Sequence, residues 1–247
     1  MKRLTRKVTK RRSRGIAKKK HMVISKPEMA IAREISPLVA KYWTQRFSLF
    51  SRYNEGIRLD EEGWYSVTPE AIASDQAKSC RDVLVIDCFS GVGGNAIQFA
   101  KSGCHVLAID VDPQKVELSR HNANIYGVGD YIDFIVGDFF LLAPFLRGNV
   151  AFLSPPWGGP DYNKIETFTL GMLKPQSGYS IFKAALQITP NIIFFLPRNI
   201  DFNQISELSW LSSPPLDLQV QENHVFGKLK GVTAYFGSCA STCSSVP

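Results

Sequence analysis

The sequence predicts an α/β chain built on a mostly parallel sheet, and three observations predict it. Five short, nearly continuous apolar runs, Val83–Ile86, Val106–Ile109, Ile132–Val136, Val150–Leu153 and Ile192–Leu196, read as strands buried on both faces. Helical segments near 95–101, 113–125 and 178–189 alternate with them, the pattern that puts helices on both sides of a parallel sheet. Two last strand-like runs, Leu216–Val225 and Gly231–Phe236, are separated by Gly227-Lys228 and read as a terminal antiparallel hairpin, which brings the strands to seven. With 247 residues and 45% hydrophobic content, the chain is long enough for one large domain with a small addition.

The elements follow in order. Residues 1–20 hold eleven of the 29 Lys and Arg and no acid, so the remainder carries 18 basic against 22 acidic residues, a net of −4. The overall charge of +7 therefore describes a basic arm on a mildly acidic globule. An arm without an apolar core of its own is expected to be disordered over 1–26, and its sharp readings are a nuclear-import signal or a phosphate-binding tail. A secretory leader is not expected, because the N-terminus lacks an apolar stretch, and no run reaches the roughly 18 apolar residues of a membrane span.

Residues 27–80 are expected to form a helical N-terminal lobe. Ala30, Ile31, Ile35, Leu38, Val39, Tyr42, Trp43, Phe47, Leu49 and Phe50 recur at a largely helical spacing, with Pro37 as a break or start. Thr68-Pro69-Glu70 reads as a helix entry, with Thr68 as N-cap and Pro69 first in the helix, running to about Ser79. Trp43 and Trp64 are expected in the core. Residues 238–247 are small and polar and are expected to fray. Cys239 and Cys243 form one Cys-x3-Cys pair with no second pair or nearby His, so reduced thiols are expected and no metal site.

The chemistry is concentrated at strand ends. Asp87-Cys-Phe-Ser-Gly91-Val-Gly93-Gly94-Asn95 is a strand end, a Gly-rich turn and a helix start, where the backbone can approach a ligand and offer unpaired N–H donors. Asp110 ends the second strand, 23 residues after Asp87, where an acid can grip ribose hydroxyls. Asp138 ends the third, placed to accept from an adenine amine. An acid before the turn would repel the pyrophosphate of a dinucleotide but attracts the ammonium and sulfonium of S-adenosylmethionine, so the methyl donor is favoured. An Asp at a strand end is also a helix cap, the preferred reading of Asp112 before Pro113. Ser154-Pro-Pro-Trp157 ends the fourth strand. Its prolines fix φ and remove two N–H donors, leaving their carbonyls free to accept. Ser154 and the Pro155 carbonyl could then hold an exocyclic amine while Trp157 stacks on the ring. Taken alone, the tetrapeptide reads equally as a Pro-Pro turn beside a half-buried Trp.

These motifs together resemble the trimethylguanosine synthase family, which methylates the 2-amino group of 7-methylguanosine RNA caps. The resemblance runs over roughly residues 36–237 and rests on Ser154-Pro-Pro-Trp-Gly-Gly-Pro-Asp-Tyr162, Lys41-Tyr-Trp-x-Gln-Arg46, Leu49-Phe-Ser-Arg52, Trp64-Tyr-Ser-Val-Thr-Pro-Glu70, the Gly turn and Phe195-Leu-Pro-Arg-Asn199. Tyr65 stands where Phe is common, and the basic arm is far shorter than the N-terminal regions of animal members. The resemblance implies a seven-stranded, mostly parallel, Rossmann-like class I methyltransferase domain at 81–237. It implies Phe50, Ser66 and Thr68 as further donor contacts and Lys41, Tyr162, Arg198 and Lys230 as cap contacts. Packing is the plain alternative for Phe50, and a solvated surface charge for each of the cations. Capped small nuclear and nucleolar RNAs, with components of their particles, are the implied partners, and the nucleus (its nucleolus or Cajal bodies) or else the cytoplasm the location, with a monomer expected. Two rivals stay open: an adenine-N6 methyltransferase of RNA or DNA, and a non-catalytic RNA-binding adaptor.

Overall fold

The computed structural model describes residues 37–242, with side chains for 39–240. The expected arm at 1–26, the first part of the lobe and Cys243 lie outside the described residues. The N-terminal lobe consists of α1 (Pro37–Trp43), α2 (Arg46–Leu49), α3 (Glu61–Ser66) and α4 (Glu70–Ala77). The sheet domain follows as β1 (Leu84–Asp87), α5 (Gly94–Lys101), β2 (His105–Asp110), α6 (Pro113–Tyr126), β3 (Ile132–Val136), α7 (Phe139–Leu142), β4 (Val150–Leu153), α8 (Gly178–Leu186), β5 (Ile192–Pro197), α9 (Phe202–Ser209), β6 (Leu218–Val225), β7 (Lys228–Phe236) and α10 (Ser238–Thr242). No helix among the described residues is long and apolar enough to cross a membrane.

Seven strands form one sheet in the order β3-β2-β1-β4-β5-β7-β6. The first five in sequence are parallel, while β7 runs antiparallel to both β5 and β6. The order reverses between β1 and β4, and open α/β sheets bind ligands outside the carboxyl ends of strands at such a point. The two-residue period sorts side chains onto two cores. Val85, Phe152, Ile193 and Phe195 join the core shared with the N-terminal lobe, where Phe99 meets Phe152 at 5.2 Å. Ile86, Leu153, Phe194 and Leu196 face the other side, where Phe182 packs on Phe236 at 4.6 Å. Full burial of each such side chain stabilises by roughly 1.5–3 kcal/mol.

Several local expectations change. Helix α4 begins at Glu70, with Pro69 at the N-cap position and no side-chain cap, so Thr68 is not the cap. Its side chain is buried and faces the ligand cleft. Strand β7 starts at Lys228 rather than Gly231, and the turn is Phe226-Gly227. Residues 238–242 are helical rather than frayed, with Cys239 buried. Helix α9 was not legible as a helix; Asp201 caps it, accepting from Asn203 N at 2.9 Å.

Candidate active site

A cleft of about 1080 Å³ opens along the carboxyl ends of β1, β2, β4 and β5, and the N-terminal lobe forms its opposite wall. Ordinary ligand pockets run from roughly 300 to 1,000 Å³, so this cleft stands at the upper end of that range. Of the residues singled out from sequence, Gly91, Asn95, Asp110, Asp138, Ser66, Thr68, Ser154, Pro155, Trp157, Lys41, Tyr162, Arg198 and Lys230 all line it. Three do not. Phe50 is buried against Tyr126, their rings 6.2 Å apart, and belongs to the core. Gly93 turns away, with φ +92°, and a side chain there would strike Ser119 on α6. It is needed for packing of the turn. Asp87 lies beneath the turn rather than on the cleft wall.

On the donor side, Asp110 shapes the turn: its Oδ2 accepts from Gly91 N at 2.8 Å and its Oδ1 from Asp112 N at 3.0 Å. Burial raises its pKa, and those two donors pull it partly back. Asp87 is 1% exposed, and its Oδ1 accepts only a long bond from Phe89 N at 3.4 Å. Its Oδ2 is buried without a hydrogen-bond partner among the described residues, although the Ala96 N–H, like that of Phe89, favours the charged form of the carboxyl. Burial, reinforced by the Asp110 charge, pushes Asp87 up to about 7. The Ser90 hydroxyl, on the cleft wall, is likewise buried and unpartnered. Orphaned acceptors under a Gly-rich turn fit a cationic ligand, as S-adenosylmethionine is at its ammonium and sulfonium. Asp112 caps α6, accepting from Gln114 N at 2.8 Å, as expected. Asp138 lines the cleft and also caps α7, its Oδ1 accepting from Phe140 N at 2.8 Å.

A polar chain braces this side from behind. Asn95 Nδ2 donates to Gln76 Oε1 at 2.7 Å, and Gln76 Nε2 donates to Thr233 Oγ1 at 2.9 Å. Asn223 Nδ2 donates to the same hydroxyl at 2.7 Å. Gln76 was missed from sequence because its role depends on α4 packing across α5 onto β7. Lys115 and Glu62 were missed too; they pair across the lobe boundary on the cleft wall. Lys115 sits in the first turn of the helix after β2, a position that could have marked it. Trp64, expected in the core, is buried there but also reaches the cleft.

On the other side, Trp157 is half-buried between Tyr162, edge-on at 5.1 Å and 82°, and Phe195 at 5.1 Å and 53°. Gly231 makes this possible: a Cβ there would come within 2.6 Å of the Phe195 ring. One expectation is corrected. Of the two proline carbonyls, that of Pro156 accepts from Lys174 N at 3.0 Å, so only the Pro155 carbonyl stays available. Asn199 holds the loop that carries Tyr162, its Nδ2 donating to Ile165 O at 2.7 Å and Tyr162 O at 3.4 Å. Lys41, Arg198 and Lys230 converge here. Burial and the neighbouring Lys228, Arg198 and Lys41 charges lower the Lys230 pKa.

The family model for RNA cap guanine-N2 methyltransferases matches residues 82–239. The chain is 40% identical over 217 residues to a Schizosaccharomyces pombe protein named trimethylguanosine synthase, an alignment covering 83% of this chain and 89% of that one. A Saccharomyces cerevisiae protein of the same name is 36% identical over 215 residues, covering 81% of this chain and 67% of its own length. Among solved structures, a methyltransferase described as putative from Porphyromonas gingivalis W83 superposes with a TM-score of 0.60 at 14% identity, over 81% of this chain. The M. jannaschii tRNA m1G37 methyltransferase gives 0.51 at 17% identity, over 70%. This chain spans about half of each of those two solved chains (49% and 51%), and at such identities they speak for the fold alone. The fold is that of the methyltransferases, and the chain belongs to the RNA cap guanine-N2 methyltransferase family.

Proposed function

We propose that this enzyme, an S-adenosylmethionine-dependent RNA cap guanosine-N2 methyltransferase, acts on the 7-methylguanosine caps of small nuclear and nucleolar RNAs and carries them to the 2,2,7-trimethyl form. One observation carries the reading of the site. Ser154–Trp157 stands in one cleft between an acidic turn suited to a cationic donor and a group of cations suited to a triphosphate.

The bound donor supplies an electrophilic methyl group on its sulfonium. Asn95, with the Asp87 charge beneath the turn, would draw the donor's ammonium toward the turn, Asp110 would accept from its ribose hydroxyls, and Asp138 would accept from its adenine amine with the lone pairs that α7 leaves free. Ser66 and Thr68 close the lobe wall over it. Trp157 stacks on the methylated guanine, whose delocalised positive charge adds a cation–π attraction of about 2 kcal/mol once desolvated. The Ser154 hydroxyl and the Pro155 carbonyl would accept from the 2-amino group and hold it toward the donor side of the cleft, which makes positioning the main catalytic effect. A strong base is not needed, since the amine loses its proton after attack, and none of His105, His121 or His224 lines the cleft. Lys41, Arg198 and Lys230 hold the triphosphate, and Tyr162 buttresses Trp157.

The test is mass analysis of a 7-methylguanosine cap dinucleotide after incubation with donor, which should show one and then two added methyl groups. Adenosine substrates competing as well as methylated cap analogues would sink this reading in favour of adenine-N6 chemistry. The eleven basic residues of positions 1–20 support nuclear import of the enzyme. A reporter fused to residues 1–26 that stays cytoplasmic would argue against import by the arm.

A further inference from the structure

We infer that the RNA chain beyond the cap runs along the start of β7, its phosphates held by Lys230 and Lys228 and its first base stacked on Phe226 at the hairpin tip. This rests on the cap reading above and extends the same site outward. Strand β7 is antiparallel to β5, with Gly231 opposite Pro197, so the residues before Gly231 project from the carboxyl-end edge of the sheet, where the cleft opens. Lys230 lines the cleft, and Nζ reaches Gln45 Oε1 at 3.5 Å. Lys228 lies two residues further out, past an irregularity in the ladder at Lys230, where Asn223 pairs with Gly231 and His224 already pairs with Leu229. Lys228 is exposed, and its charge is felt at Lys230. A cationic track therefore leads outward from the place assigned to the triphosphate.

Phe226 ends that track. It is 75% exposed, so it gives nothing to the core. Its φ is +51° and that of Gly227 is +75°, the pattern of a type I′ turn, whose first central position favours Asn or Gly. A bulky aromatic there is strained and solvent-facing at once, a combination that concentrates at ligand clamps. An exposed ring beside lysines is the usual platform for single-stranded nucleic acid: stacking accepts any base, and the cations follow the backbone. The charge and the ring both favour an RNA occupant over an apolar protein surface.

The experiment compares methylation of 7-methylguanosine triphosphate, which has no RNA chain, with methylation of a capped oligonucleotide of several residues. The intact enzyme should prefer the oligonucleotide. Phe226→Ala and Lys228→Ala should leave activity on the mononucleotide unchanged. Phe226→Ala should lower kcat/KM on the oligonucleotide roughly tenfold, as loss of one stacked base does. Lys228→Ala should reduce the slope of log affinity against log salt by about 0.7, one single-stranded phosphate contact. Phe226→Asn should raise thermal stability, because Asn-Gly suits the turn, yet lose the same preference. Oligonucleotide activity unaffected by any of these variants, or lowered equally with the mononucleotide, overturns the track. An intact enzyme inactive on both substrates would sink the cap reading as well.

Discussion

The two halves of the cleft are built on opposite electrostatics, although neighbouring strands of one sheet supply both. At the ends of β1, β2 and β3 the groups are acids: Asp87, buried, and Asp110, half-buried, are held above their ordinary pKa values, and Asp138 caps α7. At the ends of β4, β5 and the start of β7 they are aromatic and cationic: Trp157, Tyr162, Phe195, Arg198 and Lys230. The difference teaches how one cleft takes a cationic donor and a polyanionic acceptor without confusing them. Each half penalises the other's ligand by unpaired charge, a form of discrimination that contact area alone does not give. The amine and the methyl meet only where the two halves join, at Ser154–Trp157.

The harshest test of this division removes the aromatic platform. Trp157→Ala gives up ring stacking of about 1–3 kcal/mol and the cation–π attraction of about 2 kcal/mol, so kcat/KM for the cap should fall by several hundredfold. Donor affinity by calorimetry should stay close to that of the parent. If donor binding collapsed as well, Trp157, which packs against both cores, would be acting as a strut between them.

Next in size is the acid beneath the turn. Asp87→Asn should weaken donor binding by about tenfold to a hundredfold, the loss of one charge acting from beneath the turn and worth roughly 1.5–3 kcal/mol, and leave cap-analogue binding alone. The pH dependence has a definite sign. With a folded pKa of about 7 against an ordinary 3.8, Asp87 is protonated in the ligand-free protein below pH 7. Donor affinity should therefore rise through pH 7 and fall about tenfold per unit below it. The same elevation means that the ligand-free fold loses stability as pH rises from about 4 to 7, and saturating donor should reverse that trend. A pH-independent donor affinity between 5.5 and 8 would remove Asp87 from the donor's ammonium.

A smaller effect is expected from the cations. Arg198→Ala should raise KM for a triphosphate-bearing cap by about tenfold, with the loss growing at low salt, while 7-methylguanosine nucleoside should bind unchanged. Equal weakening of the nucleoside would place Arg198 on the base rather than on the phosphates.

In the acidic half, Gly91, Asn95, Asp110 and Asp138 reached the cleft as read from one strand-turn-helix string and from strand ends, whereas Asp87 and Gly93 of the same string lie off the cleft wall. In the other half Ser154, Pro155 and Trp157 all reached it, and all seven strands were legible from apolar runs. What was not legible depended on packing between distant segments. Phe50 carries the same local signals whether it faces a ligand or Tyr126, and only the docking of the lobe decides. Two prolines guaranteed missing donors at Pro155 and Pro156, but nothing local showed that Lys174 N would claim the Pro156 carbonyl. Gly231 reads as a weak point in a strand until the Phe195 ring is seen against it.

The mildest test concerns the brace behind the acidic half. Asn95 Nδ2 is tied to Gln76, which leaves the Asn95 carbonyl oxygen for the cleft, the polarity that a cationic donor needs. Gln76 is fully buried and its other end is tied to Thr233, so its amide has no freedom to turn. Gln76→Leu removes both bonds and lets the Asn95 amide rotate. At about 1 kcal/mol for one net hydrogen bond, KM for the donor should rise roughly fivefold while KM for the cap stays put. Thr233→Val cuts the chain one link further away and leaves the Gln76–Asn95 bond in place. It should lower thermal stability by a comparable amount yet change the donor KM less than Gln76→Leu does. If both variants lower stability equally and shift both KM values together, the chain from Asn95 to Asn223 is a core feature, and the orientation of Asn95 is set by the turn itself.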